Sequence, residues 1–218
     1  MPKEQGQAKQ TYEKLFWLFM VGSMLGVLLE GVFCLIANGA WESHVVTLFG
    51  QFNALYGVGA VLFYVMLSLL QKKSKFVQIL AVAAASTALE LICGIALADG
   101  LGMKAWDYSE SFLNYRGMIC LTFTLGWAAA AFVFSLLYDR IEHALAIFRG
   151  RKWEIACVAL SVFMAVNLFA TAGSIVRWSE RHYGIAPPTK IGMVYDRMTP
   201  DEWMQKRFLD WSFLDMDS

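Results

Sequence analysis

The stretch AVAAASTALELICGIALA, Ala81–Ala98, is apolar and of helical length, with one carboxylate, Glu90, in its middle. It shows no strand-type alternation. With Phe76–Leu80 in front, it reaches the roughly 20 residues that a helix needs to cross a bilayer. A carboxylate inside hydrocarbon costs several kcal/mol unless it is paired, hydrated or protonated, so such a residue is a functional candidate by default. Glu90 therefore raises the question of fold and the question of function together.

Composition points the same way. Hydrophobic residues make up 58% of the 218 residues and charged residues 17%. Soluble domains run nearer half and a quarter, so this is the balance of a membrane protein. Mean hydropathy is +0.49. Formal net charge is zero, and without a basic excess a nucleic-acid partner is not expected.

Five apolar runs are read as spans: Leu15–Ile36, Leu55–Leu70, Phe76–Ala98, Met118–Tyr138 and Trp153–Val176. Hydrocarbon obliges each backbone to satisfy itself internally, so all five are helices. The expected fold is an all-α integral membrane bundle of five transmembrane helices, residues 15–176. A cytoplasmic segment, 1–14, precedes it, and a polar tail, 177–218, follows. The first run has no small-residue cleavage site after it and reads as a retained anchor. The tail is expected to hold one short helix at TPDEWMQKRF, with Thr199 as cap and Pro200 in the first helical position. Cys34, Cys93, Cys120 and Cys157 all lie in apolar runs without zinc-type spacing and read as small packing residues.

Lysine and arginine placement orients the chain. Lys3, Lys9 and Lys14, then Lys72, Lys73 and Lys75, then Arg140, Arg149, Arg151 and Lys152 fall on alternate connections. Those segments are placed in the cytoplasm, with the protein multi-pass in the cell membrane. The first and third loops and the tail are then outside. Arg177 and Arg181, just past the fifth span, run against that last step.

In this orientation Glu30 and Glu90 lie about 22 and 21 Å along parallel helices, at one depth in the outer half. Gly22, Gly26 and Glu30 form one stripe, as do Ser86, Glu90 and Gly94, and small residues four apart mark packing faces. Both acids should thus point inward. Tyr56 begins the second helix from outside. The segment before the fourth helix delivers Trp106, Asp107, Tyr108, Asn114 and Arg116. Arg116 is expected to fork across Glu90, Glu30 or both, lining a pocket open to the outer face; a purely structural ion pair is the alternative. The two Trp-acidic loops suggest a tandem helix-pair repeat followed by one further helix. Asn167, Thr171 and Ser174 share a face and read as interhelical glue, and Gly126 with Trp127 as tight packing. No GxxxxGK[ST], HExxH or GxSxG pattern occurs, and no nucleophile accompanies the acids, so an enzyme is not the expectation. No cofactor or metal site is expected.

The segments LGVLLE, LYGVGA, ALELICG, WDYS and LNYRGMICL occur in the order seen in the type IV ABC-transporter permease family (CmpB-like). The chain resembles a divergent bacterial-type member over about Leu15–Tyr138. The tail segments RWSERHYGIAPPTK and YDRMTPDEWMQKRF resemble that group as well. Phe49, Gln51 and Ala54 stand where the family shows asparagine and two prolines. The resemblance carries over Glu30, Tyr56, Gly57, Glu90, Trp106, Asp107, Tyr108, Asn114, Arg116 and Gly117. It implies a transport subunit driven by a separate ATPase subunit. Two other functions fit the residues: an enzyme or lipid-binding protein acting at the outer leaflet, and a structural component whose acids lock helices. Membrane lipid and a second copy of the chain are the remaining partners considered.

Overall fold

The computed structural model describes residues 12–41, 44–187 and 189–214. Lys3 and Lys9, used above for orientation, lie outside them. The chain folds into α1 (Tyr12–Asn38), α2 (Ala54–Leu69), α3 (Lys75–Leu101), β1 (Met103–Lys104), α4 (Leu121–Leu145) and α5 (Arg151–His182). The tail adds α6 (Lys190–Met198), α7 (Asp201–Arg207) and β2 (Ser212–Phe213). The all-α expectation holds apart from the two-residue strands, where Met103 pairs with Phe213 and Lys104 with Ser212.

Four of these helices, α1, α3, α4 and α5, are long and apolar enough to cross a membrane, while α2 is apolar but shorter. Its 16 residues rise about 24 Å, short of a core of about 30 Å. Asn53 ends the shortfall: its side chain caps α2 by accepting from Leu55 N at 3.1 Å. Its own N–H reaches Ser23 O of α1 at 3.1 Å, roughly 17 Å along α1. Residues 44–53 therefore run without helix beside the bundle. Such backbone is tolerated at membrane depth only where protein satisfies it.

That satisfaction comes from α5 and the tail. Asn167 Oδ1 accepts from Phe49 N at 3.1 Å, and its Nδ2 donates to Phe49 O at 2.8 Å. Thr171 accepts from Leu48 N at 2.9 Å. Arg207 of α7 donates to Thr47 O at 2.9 Å and to Gly50 O. The Asn167/Thr171 face thus binds loop backbone rather than another helix, which corrects the interhelical reading. A non-helical peptide has unpaired groups that a neighbouring helix does not.

Contacts divide the bundle into two ends. At the amino-terminal end Lys14 meets Glu142 at 2.8 Å, and Tyr64 OH donates to the same carboxylate at 2.7 Å. Trp17 stacks on Phe148 with centroids 4.4 Å apart. The short 70–74 and 146–150 connections lie at this end. At the tail end Leu48, Met103, Ile175, Trp178, Met204 and Phe208 form a second apolar core. The tail is thus a folded cap with two helices. Pro200, not Thr199, occupies the N-cap of α7, because Thr199 instead closes α6, its N–H reaching Tyr195 O at 2.9 Å. Helix α5 runs on to His182. Among the described residues no cysteine is in a disulfide.

Candidate functional site

Helix α1 turns one polar stripe toward α2: Ser23, Gly26, Glu30 and Cys34, spaced three and four apart. A Cβ at Gly22 would lie 2.7 Å from Ala60 Cβ, and one at Gly26 would collide with the Tyr56 ring. The glycines thus let α2 close on α1 and seat Tyr56 against it. The Glu30 carboxyl interacts with the Tyr56 hydroxyl and lies within electrostatic reach of His44 and Asp210. Its Oε2 is buried without a hydrogen-bond partner among the described residues, and so is Ser23 Oγ. Cys34 Sγ stands 3.3 Å from His44 Nε2, and His44 Nδ1 pairs with Asp210 of the tail.

Glu90 is 4% exposed and better satisfied. Tyr108 OH donates to its Oε1 at 3.0 Å, and Trp127 Nε1 to its Oε2 at 3.1 Å. Three segments therefore meet at one carboxyl: α3, the α3–α4 loop and α4. Tyr108 stacks on Phe123 with centroids 4.2 Å apart. Tyr56 lies within electrostatic reach of Glu90 as well as Glu30, and Tyr108 within reach of Tyr56. The two helix pairs thus present their acids and tyrosines to a common region.

Arg116 does not join it. Its guanidinium forks across Asp99 at the end of α3, at 2.5 and 3.1 Å, with both side chains about half exposed. The expected Arg116–Glu90 or Arg116–Glu30 pairing is thereby corrected. Asp99 is one loop-width away and wet, so the pair avoids the desolvation that a buried guanidinium would meet. The pair raises the Arg116 pKa, through the hydrogen bond that the guanidinium donates to Asp99 first and the Asp99 charge second.

The remaining loop residues hold Tyr108 in place. Asp107 pairs with Lys104 and accepts from Ser109 N at 2.9 Å. Those bonds, Lys104 first, bring its carboxyl down to about 2. Asn114 donates to Ser109 O at 2.9 Å and Ser111 O at 3.0 Å, and accepts from Gly117 N at 3.1 Å. Trp106 Nε1 donates to Met118 O at 2.8 Å. Tyr108 N donates to Gly117 O at 2.8 Å. Gly117 sits at φ +67°, where a Cβ would lie 2.8 Å from Asp107 Oδ1. Beside this loop a cleft of about 290 Å³ opens between Gly94, Ala98, Trp106, Asp107, Arg116 and Met118.

The sequence reads Trp127 as tight packing only and gives His44 and Asp210 no role. An indole on an apolar helix gives no polarity signal, although its N–H needs an acceptor when buried. His44 and Asp210 are far apart in the chain, so no spacing links them. Chemically, the Glu30 region offers acceptor and hydroxyl atoms without partners among the described residues. It suits a ligand carrying hydrogen-bond donors or positive charge.

A family model described as "Putative ABC-transporter type IV" matches residues 17–172. No curated protein and no solved structure matches the chain.

Proposed function

We propose, because the chain belongs to the type IV ABC-transporter family and folds as apolar helices of membrane-spanning length, that it is the permease subunit of a solute transporter. Its solute site is the region between Glu30, Tyr56, Glu90 and Tyr108. One observation carries the reading: Glu30 Oε2 and Ser23 Oγ are buried on the same α1 stripe without partners among the described residues. A buried polar atom without a partner calls for an unseen water or ligand. Glu90, Tyr108 and Trp127 then form the rigid wall against which the solute rests. The solute class is a small molecule with an ammonium or several hydroxyl donors.

In this reading Trp106, Asp107 and Asn114 position Tyr108. Arg116, held by Asp99, lies at the rim of the cleft and does not contact the acids. In the same reading the amino-terminal end faces the cytoplasm of a cell-membrane protein, which its lysines and arginines support. A separate ATPase subunit would dock there, on the connections around residues 70–74 and 146–150.

The test is native mass spectrometry and thermal shift on protein extracted in a mild detergent. Wild type is compared with Glu30→Gln and Arg116→Ala in a screen of amines, amino acids and polyols. A co-purified or stabilising solute lost in Glu30→Gln and kept in Arg116→Ala supports the reading. A bound species lost only in Arg116→Ala sinks it in favour of a headgroup site at the rim.

A further inference from the structure

By length, helix α5 is able to carry the chain across the hydrocarbon to a far edge near Gly173. Trp153 is an interfacial aromatic by position, and the roughly twenty residues from there to Gly173 rise about 30 Å, the thickness of the core. Helix α6 docks at that level. The Tyr195 ring fills the space over Gly173, and Gly192 packs beside the Arg177 side chain. Asp196 binds Arg177 at 2.9 Å and Arg181 at 2.6 Å, and Arg181 donates to Thr199 O at 2.8 Å. Gly192 and Asp196 thus meet one turn of α5, Tyr195 reaches a turn lower, and Thr199 a turn higher. Helix α6 therefore lies across α5, with the Tyr195 flank toward the bilayer.

That geometry gives a direction to four of the six exposed side chains of α6, the other two being Met193 and Val194, 44% and 52% exposed. Ile191 and Met198, four before and three after Tyr195, share its downward flank, and they are 69% and 65% exposed. Lys190 and Arg197 fall on the opposite flank and are exposed. What lies beneath α6 follows from α5 itself. Phe169 and Val166, on the Gly173 face and one and two turns lower, are 78% and 62% exposed. No other described part of this chain covers them, so the face beneath α6 is open to lipid.

We propose that α6 is an interfacial helix seated in the headgroup layer of the tail-side leaflet. Ile191 and Met198 dip into the acyl chains of glycerophospholipids, and Lys190 and Arg197 meet their phosphates. An amphipathic helix with a basic flank gains both apolar burial and electrostatic attraction in that position. Arg177 and Arg181 do not take part, because Glu180, Asp196 and Asp201 neutralise them within the protein.

The test uses the full chain in vesicles of phosphatidylethanolamine and phosphatidylglycerol. Nitroxide labels are attached at Met198→Cys or Lys190→Cys, with unsubstituted protein as the labelling control. Collision with oxygen, which partitions into lipid, is compared with collision with a water-soluble nickel chelate. The Met198 label should favour oxygen by several-fold and the Lys190 label the chelate. A Met198 label that favours the chelate overturns the proposal, because the flank is then in water. A label shielded from both reagents overturns it equally, because protein then covers the flank.

Discussion

Removing the Glu90 carboxyl while leaving its donors in place measures how firmly α3, α4 and their loop are tied together. Glu90→Ala strands the Tyr108 hydroxyl and the Trp127 indole N–H, which now donate at 3.0 and 3.1 Å. A stranded buried donor costs roughly 1–3 kcal/mol. Within a membrane the loss is smaller, because helix–helix hydrogen bonds there average about 0.6 kcal/mol. The expected loss is about 2 kcal/mol for Glu90→Ala. Glu90→Gln keeps one acceptor oxygen and turns an amide N–H₂ toward the other donor, so it should lose about 1 kcal/mol by the same scale. The assay is reversible unfolding in mixed micelles for wild type, both Glu90 variants, Trp127→Phe, and the double variant Glu90→Ala/Trp127→Phe. The double variant should fall clearly short of the sum of the singles, since the second change removes a donor already stranded. Equal stability of the Ala and Gln variants, or strict additivity with Trp127→Phe, would refute the bonding scheme.

Three further outcomes follow from the loop and the tail. Asp107, held near 2 by Lys104 and Ser109, has a folded pKa below the unfolded value of about 3.9. Its contribution is therefore complete above about pH 4 and is lost as pH falls toward 2; Trp106 fluorescence should change in that window and cease to do so in Asp107→Asn. Gly117→Ala combines positive φ with a close approach to Asp107, and should cost about 1–2 kcal/mol in the same micelle assay, releasing Tyr108 from Glu90. Arg207→Ala removes two charge-assisted bonds to Thr47 O and Gly50 O, and hydrogen exchange at Thr47–Phe52 should accelerate at least tenfold, with Arg207→Lys intermediate.

The sequence made the helices legible because hydrocarbon leaves the backbone one solution, and the small-residue stripes located the packing faces of Glu30 and Glu90. It misled at Arg116. Alternation of the connections put that guanidinium at the same end of the bundle as the acids, but a solvated carboxylate at Asp99 was within reach and needed no desolvation. The tail showed its short helix α7 in the sequence, but its packing was illegible for a different reason. Its partners are loop carbonyls and core residues far away in the chain, as with Arg207 and Thr47, and no local period announces such contacts. The positive-inside count also took Arg177 and Arg181 as unpaired charges. Here Asp196 sits between the two, its own carboxyl held low by the Arg177 hydrogen bond first and Arg181 after it.

The Arg207 clamp has a consequence for biogenesis. Ribosomes deliver the chain from its amino terminus, so Thr47 and Gly50 emerge some 160 residues ahead of the guanidinium that secures them. Through most of synthesis their carbonyls await a mate, and the wait outlasts the emergence of every apolar helix. A nascent protein arrested before α7 would thus be integrated yet unsealed, a species that quality-control proteases can distinguish from the finished one.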